Sequence, residues 1–403
     1  MTKLLVGMSA TILLVALVSP VCAGEHRKRV SPPYAHQPEG ASFERHTTRG
    51  QQRMMLRETL SATLHQFARR PVESLRLGTH RGLERVGVRL AGCLPAASAV
   101  PPPRHQCPEA GGPCTPARIT PLFDSEPAYR ALLDLIASAR CRIDLMIFGW
   151  GDDDAGRGVA AALIEKARSG VLVRVLIDRG GYVIGESNAR VAEGCRTFVD
   201  ALQAEPNIGL IQAPDPGFRF DHRKIAVIDD RIVWTGSMIL TAPALHRWHN
   251  FEFLAEGPIV PQYEALFAER WCSLGGRPVP SCADPDAVAN VAPNTVARLV
   301  RTDVETEERS LKEAVYGAVD HARHHIYLEN PYFSDKILAN KLVAARARGV
   351  DVRAVLTLRG DVRAENKLST LSANHLLKGG CRVFLYPAMT HVKAMSVDGD
   401  WAY

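Results

Sequence analysis

The feature that most limits what this chain can fold into is an internal duplication. A helix-forming stretch, Glu126 to Ala139, leads into the apolar run Cys141-Arg-Ile-Asp-Leu-Met-Ile-Phe-Gly-Trp150, and far downstream Glu305 to Ala322 leads into His325-Ile-Tyr-Leu-Glu-Asn-Pro-Tyr-Phe333. The order then repeats. Ala160 to Ser169 passes through Gly170 into Val171-Leu-Val-Arg-Val-Leu-Ile-Asp178, and Lys341 to Arg348 passes through Gly349 into Val350-Asp-Val-Arg-Ala-Val-Leu-Thr357. Continuous β-branched runs fed by helices read as strands covered on both faces. The expected fold is α/β: two pseudo-symmetric repeats, each a mostly parallel sheet with helices on both faces.

Each repeat also carries the same short pattern, His222-Arg-Lys224 with Asp229 and His391-Val-Lys393 with Asp398. On an extended strand residues i and i+2 share a face, so each histidine and its lysine point into one space. The aspartates lie five residues past the lysines, with opposite parity, and are expected to brace the strand and turn without touching substrate. A phosphodiester is anionic and repels nucleophiles, so a catalyst must offset its charge, supply an attacking group and protonate the departing alkoxide. Two imidazoles and two ammonium groups meet all three needs.

This doubled motif resembles that of the phospholipase D superfamily. Gly236-Ser237 follows the first copy at the family's distance, Asn250-Phe251-Glu252 is similar to the Asn-Phe-Glu of cardiolipin synthases, and Glu329-Asn330-Pro331-Tyr332-Phe333 is similar to their second-half strand and turn. The resemblance runs from about Pro121 to Tyr403. It implies the phospholipase D fold and a metal-independent, cofactor-free phosphodiester hydrolase or transferase that acts on phospholipids through a phosphohistidine. By analogy His222 is the nucleophile and His391 the acid, Lys224 and Lys393 clamp the non-bridging oxygens, and Glu252 orients a histidine, with Ser237 and Asn250 in support. Two departures stand out. Ile239 occupies a position where the family has Asn, and Tyr403 matches Trp234, so the chain stops before a second Gly-Ser and before any counterpart of Glu252. The expectation is an incomplete second half-site, either because the sequence is a fragment of a longer protein or because the protein is a truncated form, whose truncated sheet would leave an exposed edge, an unsupported His391 and weak activity.

The expected organisation is a signal peptide over 1–23, a tail, helical segment and Pro-rich linker over 24–118, the first repeat over 119–285 and the second over 286–403. Lys3, the apolar run Leu4 to Val18 and the small residues around Ala23 suggest cleavage near Gly24 and a periplasmic or secreted protein, with an uncleaved anchor as the alternative. Removal of the leader leaves eight cysteines, Cys93, Cys107, Cys114, Cys141, Cys195, Cys272, Cys282 and Cys381, an even set suited to pairing in an oxidising compartment. Cys107 with Cys114 and Cys272 with Cys282 close the shortest loops, while Cys141 and Cys381 also read as buried free thiols. The net charge of +6, from 49 Lys and Arg against 43 Asp and Glu, favours anionic partners only weakly. What the resemblance implies as substrate partner is a phospholipid or other phosphodiester, and peripheral membrane contact is the accompanying expectation. A nuclease ranks second, because aromatics for base stacking make up 6% of the chain and no basic stripe lies near the motifs. A non-catalytic descendant ranks third. Asp152-Asp153-Asp154 reads as a solvated turn before a cation site, and the His321/His325 pair as a helix end before a metal site.

Overall fold

The computed structural model describes residues 113–184, 197–213, 220–282, 288, 290–303 and 306–403. The leader, the tail and most of the linker lie outside the described residues. Among those described, no helix is long and apolar enough to cross a membrane.

The first repeat begins with strand β1 (Thr115–Phe123) and helix α1 (Ser125–Ser138), whose Leu132 and Ile136 turn inward. Then come β2 (Arg142–Ile147), α2 (Asp154–Arg168), β3 (Leu172–Asp178), α3 (Arg179–Ile184), α4 (Phe198–Gln203) and β4 (Ile208–Ala213). The repeat continues with β5 (Lys224–Ile228), β6 (Ile232–Gly236), α5 (Ala242–Arg247), β7 (Phe251–Glu256), α6 (Val260–Ser273) and β8 (Thr295–Ala297). The second repeat runs α7 (Ser310–His321), β9 (His325–Asn330), α8 (Lys336–Ala347), β10 (Asp351–Thr357), α9 (Arg363–Lys378), β11 (Arg382–Tyr386), β12 (Ala394–Val397) and β13 (Trp401–Ala402).

Two sheets result, an eight-stranded one ordered β4-β3-β2-β5-β6-β7-β1-β8 and a smaller five-stranded one ordered β11-β10-β9-β12-β13. Both are mixed. The expected parallel pairing holds for β2, β3 and β4 and for β9, β10 and β11, where helices carry the chain back across the sheet. It does not hold for β5 to β8 or for β12 and β13, which pair antiparallel; tight turns at 229–231 and 398–400 reverse the chain with no room for a crossover. Strand β8 pairs with β1, so residues 295–297 belong to the first sheet and the change of sheet comes later than residue 286. Helices cover both faces of the first sheet: Leu132, Val159 and Leu163 pack on one side, and Leu266, Phe267 and Trp271 on the other. A separate core forms around Val319, Ile326, Leu342 and Val352 in the second repeat.

The duplication extends to the turns. Asp229 and Asp398 both take positive φ, 51° and 55°, which an Asp tolerates better than most side chains. Asp229 accepts the backbone N–H groups of Arg140, Cys141 and Arg142, and Asp398 those of Arg323, His324 and His325, at 2.8–2.9 Å. Each aspartate thus ties its hairpin to the start of the neighbouring antiparallel strand, β2 or β9, the bracing expected from parity.

For Cys272 and Cys282 the pairing departs from the shortest-loop expectation, while Cys107 lies outside the described residues. Cys141 is bonded to Cys282, neither a free thiol nor the Cys272 partner, while Cys272 and Cys381 are free and Cys114 is disulfide-bonded. The bridge sits on a buried charge cluster. Arg142 donates to Asp144, at 3.0 Å, and to Asp230; Arg174 donates to Asp144 at 2.6 Å; and Asp230 accepts the Cys282 N–H at 2.7 Å. Buried charges persist only when paired, so this cluster dictates where the chain leaving the first repeat must lie.

Candidate active site

Lys224 opens β5 and Lys393 immediately precedes β12, and each histidine stands two residues before its lysine. The rings of His222 and His391 come to 6.3 Å between centroids, edge to face, across the seam between the repeats. Both lysines act electrostatically on both rings, so all four groups share one cleft. Lys224 Nζ lies 3.0 Å from His222 Nδ1, donates to the His222 carbonyl at 2.5 Å and sits 5.0 Å over the Phe148 ring. Lys393 Nζ donates to the His391 carbonyl at 2.8 Å. Asp229 and Asp398 stand at the far ends of their strands, ~16 Å from the lysines at ~3.3 Å per residue, outside the cleft.

The two histidines are held differently. His391 is buried, with Trp248 at 5.0 Å between centroids and Nδ1 3.2 Å from Asn250 Oδ1. Asn250, fully buried, cannot turn, because its Nδ2 donates to Ser125 Oγ at 2.9 Å and to the Ala244 carbonyl at 3.2 Å. Ser237 Oγ donates to Asn250 Oδ1 at 3.0 Å and accepts the Phe251 N–H at 3.0 Å. His391 is therefore supported, contrary to expectation, and its support comes from the first repeat. His222 is the open ring, exposed to the cleft and flanked by Phe148 at 4.3 Å. Glu252 also departs from its expected role. It accepts the Met238 N–H and lies 3.4 Å from the Ser237 hydroxyl oxygen, so it shapes the loop after β6 and leaves the contact with His391 to Asn250. Gly236 makes this loop possible: a Cβ there would lie 2.4 Å from the Phe251 carbonyl oxygen. Ile239 packs against Gly149 and Leu240 bonds to the Gly149 carbonyl, so the position where the family has Asn is spent on packing.

Two residues missed in the sequence hold the motifs in place. Asp178, buried at the end of β3, accepts the Asp221 N–H at 2.7 Å and the Gly181 N–H at 2.9 Å, fixing the approach to His222. Thr357, at the matching end of β10, donates to the Thr390 carbonyl at 3.0 Å, fixing the approach to His391. Their signal was a polar residue closing each of two equivalent apolar runs. His249 stitches the seam. Its N–H donates to the Met389 carbonyl at 2.9 Å, its carbonyl accepts the His391 N–H at 2.7 Å, and its ring contacts Asp124 and stacks on Tyr386. Asp152, Asp153 and Asp154 are each taken locally, by Arg157, by the N-terminus of α2 and by His246. His321 ends α7 and His325 opens β9, as expected.

Electrostatics follow from this burial. Lys393 is pushed down to about 7 by burial, against the pull of Glu252 and Asp361. Lys224 falls well below the ordinary lysine range through burial and the charge of Lys393. Burial and the two lysines also hold His391 below the usual imidazole range, against a hydrogen bond to the Ser237 backbone. For His222 the causes are crowding by protein on its closed side and the charges of Lys224 and Lys393. Glu252 is pushed up to about 7 by burial, against its hydrogen bonds to Met238 and Ser237 and the charge of Lys393.

Residues 132–271 and 316–403 match the family described as "Cardiolipin synthase, PLD-like domain". The chain belongs to this family. It is similar to cardiolipin synthase A of Pseudomonas fluorescens (strain SBW25), 29% identical over 290 residues, covering 69% of this chain and 59% of that protein. It is also similar to cardiolipin synthase A of Proteus mirabilis (strain HI4320), 26% identical over 298 residues, covering 70% and 60% respectively. The chain thus spans about three fifths of the length of these curated relatives. Among solved structures, phosphatidylserine synthase of Haemophilus influenzae Rd KW20 shares the fold, with a TM-score of 0.50 at 16% identity over 70% of this chain and 76% of that one. The PLD-like assignment agrees with the paired mixed sheets and with the meeting of the two motifs at their seam.

Proposed function

We propose that this chain cleaves and transfers phospholipid phosphodiesters, holding phosphorus between His222 and His391 with the non-bridging oxygens on Lys224 and Lys393. The observation that carries this is the meeting of two sequence-distant motifs, with imidazole centroids 6.3 Å apart and both lysines facing the same space. The names of the cardiolipin synthase relatives favour lipid over nucleic acid as substrate. The Cys141–Cys282 bridge supports an oxidising compartment, in keeping with a leader over 1–23 and a periplasmic or secreted location.

The hydrogen bonds support a division of labour opposite to the one drawn by analogy. Asn250 Oδ1 only accepts, so the ring proton of His391 sits on Nδ1 and the Nε2 lone pair is left to attack. A protonated Lys224 only donates, so His222 Nδ1 carries the lone pair and Nε2 carries the proton. His391 Nε2 then forms a P–N bond as the P–O bond to the departing alcohol breaks, and His222 Nε2–H gives its proton to that oxygen. Nδ1 of His222 takes a proton from Lys224, whose depressed basicity suits it to yield one. In the second half an incoming water or alcohol gives a proton to His222 Nε2 while Nδ1 hands its proton back to Lys224, the incoming oxygen bonds to phosphorus, and the P–N bond breaks with its electron pair returning to His391 Nε2.

The test is a side-by-side assay of phosphatidylglycerol and single-stranded DNA without added metal, with base-quenched samples digested for mass spectrometry. A phosphatidyl adduct on the His391 peptide is expected. An adduct on the His222 peptide would restore the analogy-based assignment, turnover without any adduct would remove the covalent route, and cleavage of DNA alone would overturn the lipid reading.

A further inference from the structure

We infer that the mouth of this cleft docks on an anionic lipid surface through the turn 358–363 and α9 of the second repeat, with Phe123 of the first. The inference rests on the phospholipid reading and adds how such a substrate is reached.

Six large hydrophobic side chains remain exposed among the described residues, and three of them, Phe123, Leu358 and Val362, are 66%, 49% and 42% exposed at the end of β1 and in the turn that follows β10. Those strand ends form the edge at which His222 and His391 also stand. Scattered exposed apolar residues need no explanation; their concentration beside a reactive cleft does. Contacts link them around that cleft. The Leu358 N–H donates to the Tyr386 carbonyl at 2.9 Å, Tyr386 stacks on His249 at 5.2 Å, and His249 contacts Asp124, next to Phe123, whose ring lies 5.4 Å from that of Phe251. From the other side, Asp361 accepts from the Tyr332 hydroxyl and acts on Lys393. The turn therefore borders the phosphate-binding groups directly.

Charge selects the occupant. Across 358–367 the exposed cations Arg359, Arg363 and Lys367 outnumber the acids, of which Asp361 is held by Tyr332 and Glu365 is half-buried. Apolar side chains interleaved with cations match the headgroup layer of an anionic bilayer, with Leu358 and Val362 entering the acyl boundary and the arginines staying among phosphates. A bilayer-bound lipid whose phosphodiester sits just below the headgroup plane would then face the lysines without leaving the membrane entirely.

The experiment compares the full chain with the double variants L358E/V362E and R359Q/R363Q. The readouts are sedimentation with vesicles of phosphatidylcholine alone or mixed with phosphatidylglycerol, and turnover of vesicle lipid against a short-chain phosphatidylglycerol below its micelle concentration. Wild type is expected to prefer the anionic vesicles. L358E/V362E should bind them at least ~10-fold more weakly, and R359Q/R363Q about fivefold more weakly per charge removed; both should lose vesicle turnover in proportion and keep monomer turnover. Vesicle binding absent in wild type, or unchanged in both variants, overturns the inference. Failure of the phospholipid reading looks different: no monomer turnover by wild type, with vesicle binding still sensitive to the rim.

Discussion

Asn250 is where one side chain decides the protonation of another. Its amide is locked by Ser125 and Ala244, so it presents an oxygen, and only an oxygen, to His391 Nδ1. Asn250→Leu should lower kcat by about 100-fold with little change in KM, the usual scale for misorienting a reactive imidazole. Asn250→Asp keeps an acceptor but adds charge, so it should retain more activity and move the pH–rate profile upward by favouring the imidazolium. A variant that lost only stability, with an unmoved profile, would leave Asn250 a packing residue. A second expectation concerns the anion. Burial pushes Lys393 down to about 7, and burial together with the lysines holds both imidazoles low. A bound oxyanion of opposite charge must raise all of these, so binding takes up protons and affinity falls as pH rises through about 7. Calorimetric titration with tungstate in buffers of different ionisation enthalpy measures that uptake directly; proton release on binding would contradict the charge distribution described here.

The hairpins β5–β6 and β12–β13 show how an element can look catalytic in a motif and be architectural in space. Asp398 gathers three backbone N–H groups at a turn that needs positive φ, and Asp229 does the same in the first repeat. Burial raises the Asp398 carboxyl, but the N–H groups of His325, Arg323 and His324 outweigh it and hold the group below its ordinary value. A depressed folded-state carboxyl contributes stability that is fully present above the unfolded value near ~3.9 and is lost as pH falls through the folded one. Asp398→Ala should therefore cost about 2–4 kcal/mol in urea unfolding near neutral pH, and the cost should shrink in acid. At temperatures where the variant stays folded, kcat should be within a few-fold of wild type. Loss of turnover without loss of stability would move Asp398 into the chemistry.

At the scale of the whole molecule, what could be read in advance was whatever has a short period or a repeated spacing. Strand parity put each histidine with its lysine, and the duplication gave two sheets that meet. Contacts across long stretches of chain were out of reach. Asn250 touches His391 over 141 residues, and Cys141 finds Cys282 over an equal separation. Loop-closure entropy grows only slowly with length, so short loops carried little real preference, and the buried Arg142–Asp230 pairing decided the matter instead. The mixed pairing of the sheets was hidden for a related reason, since a fully buried strand reads the same whether its neighbour runs up or down. The seam has a functional corollary. His249 bonds to Met389 and His391 across the seam, so the two motifs meet within one chain, and the proposed site is expected to be complete in a single molecule. His222→Asn and His391→Asn should each lower turnover by at least ~10³-fold, and mixing the two inactive proteins should recover nothing, with wild-type kcat independent of protein concentration. Recovery on mixing would mean that the repeats of different chains exchange partners, and the site would then have to be redrawn as one shared between two molecules.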